Sequence, residues 1–574
     1  MKNRKPFNKL LLLLGLTLVI FIVIVGIFII FHSDVATTAL PWTMLIILLL
    51  IVWIVEYMIC LRKTSFPSLF PGLSVDARMK MAGILLLICF GTFWFDRQIK
   101  GIEPVEHGLK MFAWGIHLVA CFSVILFGVI LIRGKHSVEK QFLIVAGPIS
   151  LCLMMAITPY SAPDESHHYF SSYQLSNYLM LQWDDTDRGD AQDFDSRDLP
   201  LHWNTSSGYQ RFLNEIGSKR KSKTDTEIPY PRVLTYPLMY LPQALGIAIG
   251  RLTGLNFFVV FYFGRLFNLA FYLMCCYFAI KIIPKKKHLM FAICLMPMAL
   301  HQAISYSYDG FVNAISFLFI ALVVRAIFQE SRITGKEIVM LLITGILLAP
   351  AKVGYVVLEA CLFLIPVKRF RPRKQYLYVN VGIVAASILC IIMFWIPSLA
   401  TGSAINYRSV ELYSLSYIYS HPLGLIDIII STIKSSGVFF VNCAIGQLLS
   451  GLTLELPLYI SYCYLIVLMM LAMRRKDDPL KCITFNQRTV LLLCSLAGVL
   501  LSFLTLLTTW TEYGAQTIGG LQGRYFIPLF PLMFMALENN WITRDKRLEE
   551  PLLLLCVILN SLVVDNVLTY TLQH

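Results

Sequence analysis

Residues 10–31 carry no charge, and similar apolar runs recur at about 41–61, 111–132, 376–399 and 489–509. A helix needs roughly 20 apolar residues to cross the ~30 Å hydrocarbon layer of a bilayer. In lipid, the backbone must also satisfy its own hydrogen bonds. The chain is therefore expected to be an all-α polytopic membrane protein. Only 14% of its 574 residues are charged and 57% are hydrophobic, where soluble proteins carry about 25% charged residues. The formal net charge of +14 does not point to nucleic acid, because the basic residues fall in short clusters between apolar runs, as in cytoplasmic membrane loops.

These clusters fix an expected topology. Lys2, Arg4 and Lys5 precede a first run that is too long for a signal peptide and is followed by no small-residue cleavage site, so it reads as a retained span with a cytoplasmic N-terminus. Further spans are expected at 41–61, 80–95, 111–132 and 141–158, followed by a long polar loop, 159–235, on the outside. The loop holds seven aspartates against two arginines between residues 184 and 198. Lys285-Lys286-Lys287 is the next inner marker, which leaves one crossing, 257–283, and puts 236–252 at the outer interface or in a re-entrant segment. Spans at 288–305, 310–328, 337–349, 353–366 and 376–399 alternate around Arg332, Lys336 and the cluster 368–374. Arg474-Arg475-Lys476 then allows one crossing, 455–473, provided that 423–447 lies flat; 236–252 and 423–447 are each apolar enough to cross instead. Spans at 489–509, 525–538 and 551–569 bring the total to about fifteen. None of the 14 cysteines falls in the loop 159–235, so the loop has no disulfide framework.

Asp164, Asp309, Lys352 and Arg524 all fall at outer ends of spans in this scheme, although none was used to build it. Asp164 and Glu165 form a carboxylate pair at the membrane edge, suited to general-base chemistry or simply to capping a helix. His167 and His168 follow on the same segment and are candidate partners of a divalent metal, Mg or Mn, as well as of substrate. Asp309 stands in a tight hairpin before Gly310, a position that also suits an ordinary turn aspartate. Lys352 can reach lipid headgroups or hold a phosphate. Arg524 beside Tyr525 suits bidentate phosphate binding or interfacial anchoring. Arg265, about two turns inside a span, needs a partner or an aqueous cavity, and is a further candidate to bind the substrate phosphate.

Several motifs occur in order. They are Pro163-Asp164-Glu165 with His168, Tyr236-Pro237 through Leu245-Gly246, Gly264-Arg265-Leu266-Phe267-Asn268, Met296-Pro297 with Tyr308-Asp309, and Gln522-Gly523-Arg524-Tyr525. Together they resemble the bacterial membrane family catalogued as domain of unknown function 2142, which in turn resembles the GT-C superfamily of polyprenyl-phosphate-sugar-dependent glycosyltransferases. The resemblance implies a GT-C-like core over residues 136–574, with a long extracytoplasmic first loop, 159–235, and interfacial helices, and leaves residues 1–135 as an accessory four-helix module. It also implies an acidic catalytic residue at Asp164 and a second acidic position at Asp309. The implied activity is inverting sugar transfer from a polyprenyl-phosphate donor to a cell-envelope polysaccharide, teichoic acid or glycolipid, at the outer face of a bacterial plasma membrane. Trp183, Trp203, Tyr209 and Tyr230 are candidates to stack on sugar rings. Two other classes compete: a flippase or exporter of lipid-linked saccharide, which needs ionisable residues along a mid-membrane path, and a non-catalytic scaffold of an envelope-assembly complex.

Overall fold

The computed structural model describes residues 75–102, 107–134, 136–181, 204–210, 236–255, 257–400 and 410–574. The first helices are α1 (Val75–Lys100), α2 (His107–Arg133), α3 (Val138–Ala156), α4 (Glu165–Leu179), α5 (Leu241–Leu252), α6 (Phe257–Ile282), α7 (Lys287–Cys294), α8 (Pro297–Ala303), α9 (Asp309–Phe328) and α10 (Gly335–Leu348). A 3₁₀ segment, Val353–Leu364, leads to α11 (Lys374–Ala400), α12 (Leu415–Ser420) and α13 (Pro422–Ile445). The antiparallel pair β1 (Leu448–Leu449) and β2 (Leu454–Glu455) precedes α14 (Leu458–Ala472). Then follow β3 (Arg474–Arg475), α15 (Phe485–Thr509), a 3₁₀ segment Gly523–Leu529, α16 (Phe530–Ala536), β4 (Thr543–Arg544) and α17 (Glu549–Gln573).

Among the described residues, eight helices are long and apolar enough to cross a membrane: α2, α3, α6, α9, α11, α13, α15 and α17. This makes the chain an all-α membrane protein, with fewer continuous spans among the described residues than their apolar runs suggest. The runs 10–31 and 41–61 lie outside the described residues. The run 288–305 is split into α7 and α8 at Met296-Pro297, where proline cannot donate to the helix ladder. Asn560 of α17 donates to the Leu295 carbonyl left free there, at 3.0 Å. The runs at 337–349, 353–366, 455–473 and 525–538 likewise become short or 3₁₀ helices. Hydropathy registers apolar length and is blind to such breaks.

The two ends of the bundle differ in chemistry. At one end, the basic clusters 285–287 and 474–476 meet in an ion network. Lys285 Nζ lies 2.9 Å from Asp478 and 2.8 Å from Glu538, Lys286 lies 2.9 Å from Glu538, and Glu549 takes Arg544 at 2.6 Å. The α9 helix measures the distance to the other end. Its last residue, Phe328, sits under Lys285 with the ammonium 5.6 Å from the ring centre. Its 20 residues then rise about 30 Å to Asp309.

The two ambiguous segments both belong to the Asp309 end. After a 3₁₀ turn at Pro237–Tyr240, α5 runs antiparallel to the first turns of α6. Its 12 residues reach about 18 Å, too short to cross. Arg251 near its end donates to Ser176 on α4 at 2.9 Å. The α13 helix is long enough to span, yet it lies along the single connection 510–524. Thr432 accepts from Ile518 N at 2.9 Å, and Phe440 touches Gly523.

Helix α2 packs on α3 and α17, and α1 packs on α2 and α17. His117 of α2 and Asp565 of α17 lie 2.8 Å apart, with Phe95 of α1 stacked on the imidazole at 4.4 Å. Ionisable groups inside a bundle are normally paired in this way.

Candidate functional site

The site begins where α3 ends. The chain turns at Pro163-Asp164, and Asp164 caps α4 in the left-handed conformation, φ 57°. Aspartate tolerates this region better than most residues. The turn sends the two neighbouring carboxylates to different places. Asp164 stays 67% exposed, with Oδ2 3.5 Å from Arg524 Nη2. Glu165 turns inward and is fully buried with Arg265, with Arg265 Nε to Oε1 at 2.9 Å and Nη2 to Oε2 at 2.7 Å. The same carboxylate accepts from Tyr306 N at 3.1 Å. Arg265 spends its other donors on the carbonyls of Ile157 and Thr158, at 2.8 and 2.9 Å. One ion pair thus ties the end of α3, the start of α4, α6 and the link 304–308 together. Tyr306 packs so closely on Gly264 that a Cβ there would fall 2.0 Å from its hydroxyl oxygen.

The histidines diverge. His168 is buried, with Nδ1 2.9 Å from Tyr240 Oη and the ring edge-on to Tyr308. Burial holds its pKa down to about 3, so it is neutral at ordinary pH. His167 is half-buried, and burial lowers its pKa as well. The two imidazoles lie at 71° to one another. Among the described residues no three His, Cys, Asp or Glu side chains come together to hold a metal ion, so none of them completes a donor set around His167 and His168 for a divalent metal such as Mg or Mn.

Asp309 opens α9 and is 8% exposed at its side chain. Oδ1 lies 2.8 Å from Lys352 Nζ, and Oδ2 accepts from Gln302 Nε2 at 3.2 Å and lies 3.7 Å from Arg524 Nε. Lys352 stands between α10 and the 3₁₀ segment Val353–Leu364. Its ammonium lies 3.9 Å above the Tyr525 ring and 5.3 Å from that of Tyr308. Burial pulls its pKa down, and the Asp309 carboxylate opposes this. Tyr355 holds the same corner by donating to the Tyr525 carbonyl at 2.6 Å. Arg524 is 3% exposed and touches both aspartates.

Asp164, Asp309, Lys352, Arg524 and Tyr525 therefore meet in one cluster at the end of the bundle away from the basic network. Glu165 and Arg265 form the pair beneath it, and His168 stands beside it. The roles of Gln302, Tyr240, Tyr308 and Tyr355 were missed from the sequence, where nothing separates a polar or aromatic wall residue from an ordinary interfacial one. Tyr209 is buried against Phe112 with its hydroxyl on the Met155 carbonyl, so its ring is not open to a sugar. Trp183, Trp203 and Tyr230 lie outside the described residues, as does the aspartate-rich run 184–198.

The family model described as "Predicted membrane protein (DUF2142)" matches residues 149–533, more than half of the chain and the whole of this cluster. The chain belongs to the DUF2142 family. No curated protein and no solved structure matches it. The DUF2142 region runs from within α3 to within α16 and leaves α1 and α2 outside.

Arg524 owes its position to Gly523. A Cβ on Gly523 would lie 1.8 Å from the Phe440 carbonyl oxygen and 2.7 Å from Ala444 N, both backbone atoms of α13. Gly523→Ala must push α13 away and carry Arg524 with it. Overpacking of this kind costs at least about 1–3 kcal/mol. A lower melting temperature is expected, and an unchanged melting curve would contradict this packing.

Proposed function

We propose that this DUF2142 protein is a GT-C-type inverting glycosyltransferase, working at the extracytoplasmic face of a bacterial plasma membrane. The observation that carries this reading is the convergence of Asp164, Asp309, Lys352 and Arg524 about one hydrocarbon thickness from the basic network. Basic clusters mark the cytoplasmic side of membrane proteins, so the four-residue cluster faces outward. Two cations at the membrane edge suit the phosphate of a polyprenyl-phosphate sugar, whose lipid chain stays in the bilayer. Charged residues gather mainly at the two ends, with few inside the bundle (the His117–Asp565 pair and Glu359), which favours chemistry at one face over export.

Asp164, the most exposed carboxylate of the cluster, takes the proton from an acceptor hydroxyl. The acceptor oxygen bonds to the anomeric carbon from the face opposite the phosphate. The bond from carbon to phosphate oxygen breaks, and the electron pair leaves with the polyprenyl phosphate. Arg524 and Lys352 stabilise the charge that develops on this leaving group. Glu165 and Arg265 have no part in the transfer, since their polar atoms are consumed by each other and by backbone. The acceptor is a cell-envelope polysaccharide, teichoic acid or glycolipid.

Purified protein in lipid nanodiscs, given a panel of radiolabelled polyprenyl-phosphate sugars and envelope glycans, is expected to release polyprenyl phosphate. Absence of both turnover and binding of any phosphate-bearing polyprenyl lipid would sink the reading. Orientation has its own test. Leu245 on α5 is 41% exposed and Trp541, beside the basic network, is 96% exposed. In intact cells an impermeant thiol reagent is expected to label Leu245→Cys, and to label Trp541→Cys only after permeabilisation. The reverse pattern would invert the assigned topology.

A further inference from the structure

The Lys352–Arg524 pair already holds an anion, Asp309, and holds it unevenly. Oδ1 contacts Lys352 at 2.8 Å, while Oδ2 stays 3.7 Å from Arg524 Nε. That Nε is buried and has no hydrogen-bond partner among the described residues. The other contact of the guanidinium with a carboxylate, to Asp164, is long at 3.5 Å. Arginine offers five donors in a planar fork, and here the fork is fixed in place by packing with its donors under-used. An acceptor with several oxygens, as a phosphate has, would fill them better than one carboxylate at this distance.

Asp309 also has a second anchor that does not depend on the cations. Its Oδ2 accepts from Gln302, whose own Oε1 accepts from Asn313 Nδ2 at 2.6 Å. Its backbone N donates to Ser307 Oγ at 3.2 Å. The carboxylate can therefore lose Lys352 and stay hydrogen-bonded. Lys352, 24% exposed on a long flexible stem, is the mobile member of the pair.

We propose that Asp309 is a positioning residue that serves as the resident counter-anion of Lys352 and Arg524 and competes with the substrate phosphate for them. This rests on the glycosyltransferase reading above and assigns Asp309 a role other than proton transfer. In the ground state Asp309 offsets the charge of Lys352 and Arg524 and keeps them correctly spaced. When a phosphate enters, Lys352 and the free Nε of Arg524 turn to it, and Asp309 falls back on Gln302. The competition matters most after transfer. The polyprenyl phosphate product carries more charge than the phosphodiester donor, and Asp309 regains the cations as that product leaves. Without it, product would bind too well, and release limits turnover in many enzymes.

The test is equilibrium binding of polyprenyl monophosphate, neutral polyprenol and inorganic phosphate to the purified full-length chain and to Asp309→Asn. Asp309→Asn is expected to bind the lipid phosphate about tenfold tighter or more, since one competing charge has gone. Both kcat and the donor KM are expected to fall, with stronger product inhibition. Asp309→Glu, which restores the charge, is expected to return affinity towards that of the parent. Tightening for inorganic phosphate as well assigns recognition to the phosphate alone. Tightening for the lipid only assigns it to a headgroup held at the membrane. Either supports the role. Unchanged or weaker lipid-phosphate binding by a folded Asp309→Asn overturns it, as does equal binding of polyprenol. If Asp309→Asn does not fold, Lys352→Met decides: the proposal requires at least a tenfold loss of lipid-phosphate binding, and retained affinity refutes it. Failure of the parent protein to bind any phosphate-bearing lipid would instead remove the glycosyltransferase reading itself.

Discussion

Glu165→Ala is expected to cost the protein its fold, although Glu165 stands next to the proposed catalytic base. The substitution leaves Arg265 charged, fully buried and stripped of the carboxylate that pairs with it. Breaking a buried ion pair from one side costs about 3–5 kcal/mol, a large share of the net stability of an ordinary domain. The loss is not confined to two side chains. Glu165 also accepts from Tyr306 N, and Arg265 holds the last carbonyls beyond α3. The connections that carry Asp164 and Asp309 into the site would therefore loosen together. Thermal unfolding in detergent should show a large fall in melting temperature, or a failure to purify as a single species. The double variant Glu165→Met with Arg265→Met removes both charges. It is expected to be more stable than either single variant, because no unpaired charge remains. A Glu165→Ala protein with unchanged melting and activity would show that this pair does not hold the site together.

Sequence reasoning stops at this pair. Asp164 and Glu165 look like two carboxylates at one membrane edge, and nothing in the local pattern says that one faces outward and the other inward. The left-handed turn at Asp164 makes the division, and the partner of Glu165, Arg265, lies 100 residues further along the chain. Arg265 itself was legible as a charge in need of a partner, because burying it alone is so costly. The clustering of Asp309, Lys352 and Arg524 was legible for a different reason. Alternating basic clusters assign each apolar run a direction, and three far-apart residues then fall at one end whatever the detailed packing. The count of spans was less legible. Met296-Pro297 breaks one run into α7 and α8, and Val353–Leu364 winds as a 3₁₀ helix, yet both read as continuous apolar stretches. Apolar composition dictates that a segment enters the bilayer. Its helical continuity depends on tertiary partners such as Asn560, which supplies the hydrogen bond missing at Leu295.

Asp164→Asn is expected to leave the protein folded and nearly inactive. The side chain is 67% exposed and makes no helix-capping hydrogen bond, so little stability depends on it. Asparagine has almost the same shape and also accepts positive φ, so the turn at 57° should survive. Alanine would be a poorer test, because it would add backbone strain to the loss of the carboxylate. What asparagine cannot do is accept the acceptor's proton. Positioned general bases contribute roughly 10²–10⁴-fold to rate, and kcat should fall within that range. The donor KM should change little, since Arg524 and Lys352 remain to hold the phosphate and Asp309 remains to space them. The contrast between neighbours is the informative result. Asp164→Asn should melt like the parent and fail to transfer sugar, whereas Glu165→Ala should fail to fold. If Asp164→Asn keeps more than about a tenth of the parent rate, below the smallest effect expected of a general base, Asp164 is not the base and the acceptor must be activated by another group.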